Sequence, residues 1–395
     1  MVRGNHQLEG FDFTETFSRV AKLSSVRTFL SITVSRGWEL HQLDINNAFL
    51  YGDLDEEVYM RLPPGFTSSS STCVCKLHKS LYGLRQVSRQ CFAKLSFTLT
   101  AYGFVRSYAD YSLFMYQKGA VFLALLVYVD DIILASNDSY ACLEFKAYLN
   151  DCFRIKDLGP LKYFLGIEVA RGPHGLFLCQ RKYALKIVVS GLLGSKPSTF
   201  PMEANHKLAP AQGKVLDDPG CYRRLVGCLI YLTITRPELC YAVHILSQFM
   251  HAPKEEHYDA ARRVLLYLKG TSGFGILLRS QCDLHIRAYC DVDWGVCSLT
   301  RRSITGYLVT LGGSPISWKT KKQQTVSRSS IEAEYKSMAA TTSEVIWLKA
   351  LLASLGVFHT SAMQLFCGSQ AALYIAKNPV FHERTKHIEL DCHFV

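Results

Sequence analysis

The sequence predicts an α+β and α/β multidomain protein, and three observations carry that expectation. A chain of 395 residues is longer than one hydrophobic core usually supports, so two or three domains are expected. Residues 121–134 read as two apolar strands around an acidic tip. From Gly275 onward, short apolar stretches precede one long helical pattern, as in a unit of sheet and helix.

Taken in order, the first segment, to about Gly119, mixes short apolar stretches with the turn Pro63-Pro64-Gly65 and a serine run from Ser68 to Ser71 that reads as an exposed loop. Val87 to Tyr102 has the apolar spacing of an amphipathic helix. Val121 to Val127 is a continuous apolar run of strand length, and Ile132-Ile133-Leu134 follows Asp130 and Asp131, predicting a hairpin with the aspartates at its tip. Ser139 to Phe153 reads as a helix. Tyr163 to Val169 and Leu176 to Leu178, around Gly172, Pro173 and Gly175, read as a second hairpin. A linker from Ser195 to Pro219 leads to three helices, Tyr222 to Ile234, Glu238 to Met250 and Glu255 to Lys269, the second opening behind Pro237. Strands are expected at Ile276-Leu277-Leu278, His285 to Tyr289, Thr305 to Leu311 and Ile316 to Trp318, with Gly312-Gly313 as a turn. A helix from Ser330 to Ser354 and a strand and helix between Leu365 and Ala376 complete this unit. No repeat of solenoid period is visible.

The net charge of +11 favours a polyanionic partner, with nucleic acid the first expectation. Fourteen cysteines are scattered, and the closest pair, Cys73-Val74-Cys75, lacks zinc-site spacing, so they are read as reduced and mostly buried. No signal-peptide pattern opens the chain, which suits a reducing, cytoplasmic setting. The longest apolar run, Ala120 to Val129, is half the length of a membrane span, so no membrane partner is expected.

Two acidic constellations carry the chemistry. Asp44 follows Trp38-Glu39-Leu40-His41-Gln42-Leu43 and is expected to end a strand at a sheet edge, while Asp130 and Asp131 sit on the hairpin tip. Phosphoryl transfer uses two divalent cations about 3.5–4 Å apart, and hard magnesium prefers carboxylate oxygens. In the second constellation Asp291 ends a strand, and Glu334 lies early on the helix capped at Ser329-Ser330. Asp291 and Asp293 are expected on opposite faces, with Asp291 alone toward the site. Of Glu332 and Glu334, two apart on a helix, only one can point inward, the other being a solvated surface charge.

Four ordered segments resemble the copia-type reverse transcriptase. Leu43-Asp44-Ile45-Asn46-Asn47-Ala48-Phe49-Leu50-Tyr51-Gly52-Asp53-Leu54 is similar to its first catalytic motif, and Lys79-Ser80-Leu81-Tyr82-Gly83-Leu84-Arg85-Gln86 to its template and nucleotide segment. Tyr128-Val129-Asp130-Asp131 resembles its catalytic hairpin, and Tyr163-Phe164-Leu165-Gly166-Ile167-Glu168-Val169 its primer grip. The resemblance implies a polymerase triad of Asp44, Asp130 and Asp131, with Asp44 and Asp130 as direct metal ligands. It implies Phe49 under the incoming sugar, Gly83 beside the nucleotide and Arg85 near phosphates. Cys290-Asp291-Val292-Asp293-Trp294, Arg301-Arg302-Ser303-Ile304-Thr305-Gly306-Tyr307 and Ser327-Arg328-Ser329-Ser330-Ile331-Glu332-Ala333-Glu334-Tyr335 are similar to copia-type ribonuclease H motifs. That similarity implies metal ligation by Asp291 and Glu334.

The implied organisation is reverse transcriptase palm and fingers over residues 1–194, linker and helical thumb or connection over 195–274, and a ribonuclease H-like domain over 275–395. Implied cofactors are two Mg2+ per active site, with Mn2+ as a substitute. Implied partners are an RNA template, a DNA primer, an RNA–DNA hybrid and deoxynucleoside triphosphates; oligomeric state is left open. Basic residues Arg301, Arg302, Lys319, Lys321 and Lys322 are read as contacts to a hybrid backbone.

There are departures. Cys367-Gly368-Ser369-Gln370-Ala371-Ala372 has Gly368 where the family has an aspartate ligand, so hybrid cleavage is expected to be impaired. The fourth acid is Glu389 or Asp391, with Glu389 favoured. Val87-Ser88-Arg89-Gln90-Cys91 replaces a segment that commonly has proline near 88 and tryptophan at 91, and relatives carry a strand upstream of Met1-Val2-Arg3-Gly4, so shortened fingers are expected. The alternative to an active polymerase is an inactive retroelement remnant that only binds nucleic acid.

Overall fold

A computed structural model describes residues 4–16, 18, 20–63, 65–66, 73–189, 194–203, 206, 208, 213–297, 299–377 and 391. The serine run, Pro64 and Glu389 lie outside the described residues. The chain divides into two compact units, one drawn from residues 1–29 and 37–161, the other from 30–36 and 162–395.

Helix α1 (Leu23–Ser35) begins in the first unit and its residues from Leu30 on are counted with the second; the first unit continues with β1 (Glu39–Ile45), β2 (Asp53–Arg61), β3 (Val74–Lys79), α2 (Val87–Tyr102), β4 (Val105–Arg106), β5 (Leu113–Lys118), β6 (Val121–Tyr128), β7 (Asp131–Ser136), α3 (Ser139–Phe153) and β8 (Ile155–Pro160). Six strands form one sheet in the order β4-β5-β6-β7-β1-β8, and β2 pairs with β3. Alternate residues Leu43, Ile45, Leu123, Leu125, Val127, Ile132 and Leu134 turn to one face of the sheet and meet Leu95 and Leu99 of α2 and Phe145 and Leu149 of α3 in one core. The expected helices at 87–102 and 139–153 and the acidic hairpin are all present, α3 being capped by the Asp138 carboxylate accepting from Ala141 N–H. Asp44, however, stands on an interior strand, β1 lying between β7 and β8, and not on a sheet edge. Its access comes from the strand's end.

The second unit begins with β9 (Tyr163–Phe164), β10 (Ile167–Gly172), β11 (Gly175–Cys179) and α4 (Arg181–Val189), then α5 (Pro219–Leu232), α6 (Cys240–Ser247), α7 (Glu255–Thr271) and β12 (Gly275–Arg279). The strand expected to open the C-terminal unit joins the earlier hairpin instead: β12 pairs antiparallel with β11, in the order β12-β11-β10-β9. Glycine allows this approach, since a Cβ on Gly175 or Gly275 would strike the Leu278 or Leu178 carbonyl. The helices share a core around Tyr222, Val226, Leu229, Leu246, Val264 and Leu268.

The chain then forms β13 (Ile286–Asp293), β14 (Ile304–Leu311), β15 (Ser314–Lys322), α8 (Ser330–Ser354), β16 (Gln364–Cys367) and α9 (Gln370–Lys377). The sheet order is β15-β14-β13-β16, with β16 parallel to β13 and the other pairs antiparallel. Cys290 of β13, Tyr335 and Met338 of α8 and Ala372 of α9 are buried together. This is a mixed sheet covered by helices, as expected for α/β. The cysteines differ from expectation: among the described residues they are free, but most are half-buried and Cys73 and Cys152 are exposed.

Two candidate acidic centres

The first centre is built by strand register. Asp44 of β1 stands directly opposite Asp131 of β7, and Tyr128 opposite Asp131 closes the β6–β7 hairpin around Val129 and Asp130. Directly opposed residues of antiparallel strands share a face, so Asp44 and Asp131 emerge side by side. Asp130 is tied in through its carbonyl, which accepts from Ile45 N–H at 3.2 Å. Val129 has a φ of 61°, a left-handed conformation that costs a β-branched residue about 1–2 kcal/mol and here turns the chain tightly from Tyr128 into Asp130. Burial, with the repulsion of Asp130 and Asp44, raises the pKa of Asp131, while Gln42 Nε2 donates to it at 3.4 Å and acts the other way. Beside them, burial and the nearby Asp130 push the Cys91 thiol up to about 11.

Phe49 lies on the 3-10 turn Ala48–Tyr51 that follows β1, and its ring meets Tyr82 at 4.9 Å between centroids. Gly83 has a φ of 106°, which an L side chain rarely adopts. Arg85, expected near phosphates, is exposed, donates from Nε to Gly4 O at 2.9 Å and holds its guanidinium over the Phe13 ring at 5.4 Å.

Sequence reasoning passed over a separate cluster in this unit. The ligand atoms of Glu39, His41 and Cys142 lie within 4.8 Å of one another, a spacing a metal could use. The Lys146 ammonium, however, stands 3.0 Å from His41 Nδ1 and 2.8 Å from an Asp157 oxygen, and Glu39 is 3.3 Å from His41 Nε2. A cation already sits in the group, so it reads as an ion-pair network tying β1 to α3 and β8.

In the second centre, Glu334 of α8 feels Asp291 of β13, and burial with that repulsion raises its pKa. Ser337 Oγ donates to Asp291 O at 3.1 Å, seating α8 against the strand. The expectation that Asp293 turns away from Asp291 is corrected: residues two apart on a strand share a face, and both are exposed. Burial, then Asp291, raises the pKa of Asp293, making it an acidic neighbour that the sequence reading missed. Period-two alternation is the signal that would have found it.

Glu332 is corrected as well. It is buried at the start of α8, accepts from Arg328 N–H at 2.8 Å and pairs with Lys336 at 2.7 Å. Asp391 has Lys336 and Glu332 as its charged neighbours, and burial raises its pKa. At Gly368 a Cβ would meet no atom of the described residues within 4 Å, and the adjacent Cys367 Sγ is 3.7 Å from Glu334 Oε2.

The basic residues divide. Arg301, Lys319 and Lys321 are exposed, and Arg302 is half-buried. Lys319 and Lys321 share a face of β15, paired to Tyr307 and Thr305 of β14. Lys322 faces the other way and donates to Gln248 Oε1 at 2.9 Å, so its expected contact to a hybrid is replaced by an internal bond.

An acidic hairpin on an antiparallel sheet faces a third aspartate across the strand register, the arrangement the resemblance to a polymerase implied. The comparisons agree: residues 1–204 match the family model described as reverse transcriptase (RNA-dependent DNA polymerase). The whole chain is 46% and 45% identical to the retrovirus-related Pol polyproteins from transposons RE1 and RE2 of Arabidopsis thaliana, and spans 27% of each. It is 37% identical to that from transposon TNT 1-94 of Nicotiana tabacum, spanning 30% of it. The chain belongs to the reverse transcriptase family of copia-type retrotransposon Pol polyproteins.

Proposed function

We propose that the chain is an RNA-directed DNA polymerase that extends a DNA primer on an RNA template from deoxynucleoside triphosphates, with Asp44, Asp130 and Asp131 at its centre. The observation that carries this reading is the meeting of three carboxylates from two strands and the turn between β6 and β7, with Asp44 directly opposite Asp131; burial, then the repulsion of Asp130 and Asp44, raises the pKa of Asp131. An oxygen-only donor set of this kind fits hard divalent cations. Asp44 and Asp130 would hold two Mg2+, with Mn2+ as a substitute. The ions supply charge neutralisation at the triphosphate and a more acidic primer hydroxyl. The left-handed Val129 fixes where Asp130 stands, and Gln42 orients Asp131.

Primer extension on an RNA template tests this. Asp130→Asn is expected to lower incorporation about a thousandfold, several kcal/mol of barrier. No incorporation by the unsubstituted chain with either metal would favour an inactive remnant that binds nucleic acid.

A ribonuclease H-like role for the C-terminal sheet, with Asp291 and Glu334 as metal ligands, belongs to the same reading, with cleavage impaired at Gly368. Glycine offers no oxygen, and the Cys367 thiol beside Glu334 is a soft donor poorly matched to magnesium. Gly368→Asp meets no obstacle among the described residues at its Cβ and is expected to raise hybrid cleavage. Equal rates in the two chains would sink that assignment. A cytoplasmic site of action, within a virus-like particle if an element assembles one, goes with the reading.

A further inference from the structure

Phe49 packs between two apolar clusters, one around Leu43 and Phe145 and the other around Val58, Leu84 and Val87. Its ring also meets Tyr82 edge-on, with ring centroids 4.9 Å apart and planes at 63°. The two rings are anchored to one loop system. Ser80, two residues before Tyr82, donates from its backbone N–H to Gly52 O at 2.9 Å and from its hydroxyl to the same oxygen at 3.1 Å, just beyond the turn that carries Phe49. Tyr82 is 39% exposed, and its phenol lies within electrostatic reach of both Asp44 and Asp130.

We propose that Tyr82 is a specificity-determining positioning residue, which holds the Phe49 ring as a rigid wall so that the site separates deoxyribonucleoside from ribonucleoside triphosphates. The proposal rests on the polymerase reading above. Phe49 stands on a four-residue 3-10 turn, a weak local structure that does little to hold a ring in place. The two nucleotides differ by one oxygen, and a wall that yields by about an ångström no longer excludes it. Tyr82 supplies the stiffness.

The test uses the full chain on an RNA template annealed to a DNA primer ended by a dideoxynucleotide, with Mg2+, so that binding is read without turnover. Equilibrium binding of dATP and ATP is measured opposite a template uridine. The unsubstituted chain is expected to favour dATP by about tenfold or more, the scale of discrimination by a small steric difference. Tyr82→Ala is expected to remove most of that ratio, and Tyr82→Phe, which keeps the ring, to retain it. On a Phe49→Ala background, Tyr82→Ala is expected to change nothing further. Should Tyr82→Ala not fold, Tyr82→Leu reads the same ratio. A wild-type ratio in Tyr82→Ala overturns the proposal, as does equal or absent binding of both nucleotides by the unsubstituted chain. Extension of an unblocked primer judges the polymerase reading separately: discrimination without extension would remove that activity and leave Tyr82 its role.

Discussion

Burial opposes protonation of His257. Lys254 N–H donates to Nδ1 at 2.9 Å, and Nε2 donates to Leu208 O at 2.9 Å, so the neutral ring with its proton on Nε2 satisfies both bonds. The ring also stacks on Phe249 at 4.0 Å. Burial lowers its pKa; the Leu208 carbonyl and Glu256 act against that, and Lys254 adds to it. A histidine whose pKa is lower in the folded chain stabilises the fold fully above its unfolded value, about 6.5, and that stability is lost as pH falls toward the folded value. His244 and His359, also lowered by burial, act in the same direction. Denaturant unfolding is therefore expected to show lower stability at pH 5.5 than at pH 7.5, with a smaller drop in His257→Gln. An equal drop in both would remove His257 from the account.

At the scale of elements, the run read from sequence as one strand, Tyr163 to Val169, breaks into β9 and β10 at Leu165 and Gly166, with φ of 48° and 71°. The break is held from α5, where the Tyr231 hydroxyl donates to Leu165 O at 2.5 Å, while the Tyr231 ring meets Tyr183 at 4.8 Å. A Cβ on Gly166 would overlap the Tyr231 hydroxyl. Tyr231→Phe is expected to cost about 1 kcal/mol for the lost hydrogen bond. Gly166→Ala is expected to cost about 2 kcal/mol or more, combining left-handed strain with the overlap. Because both changes act on one contact, the double variant should lose less than the sum in urea unfolding. Additive losses would show that Tyr231 does not hold the turn.

For the whole molecule, a net charge of +11 is spread unevenly in what it can do. Arg301, Lys319 and Lys321 are open to solvent, whereas Lys322 is half-buried and held by an internal partner. Only open cations release counterions on binding. Affinity for an RNA–DNA hybrid, followed against salt, is expected to fall steeply, and Lys319→Ala with Lys321→Ala to reduce the logarithmic slope by about 1.5–2. Lys322→Ala is expected to leave the slope unchanged. A slope unaltered by the double change would place the hybrid elsewhere. Among the described residues no helix is long and apolar enough to cross a membrane.

Local pattern made several elements legible. The apolar spacing of α2, α3 and α8 and the long apolar run of β6 were readable because each period reflects one buried face. The acidic hairpin, and with it the family, was readable for the same reason: Asp130 and Asp131 interrupt a run that otherwise wants to be buried. α1 was not legible. Its Ser25, Thr28, Ser31 and Thr33 are buried polar residues of modest helix propensity, which only tertiary packing makes helical. Orientation was equally hidden. The sequence by itself determined the carboxylates and their order along the chain. Tertiary structure alone decided that Asp44 stands opposite Asp131, that Asp293 joins Asp291, that Glu332 is buried and that Lys322 turns inward. Residue type is local, but which residues share a face depends on strand register and helix packing, and those are set by partners far away in the chain.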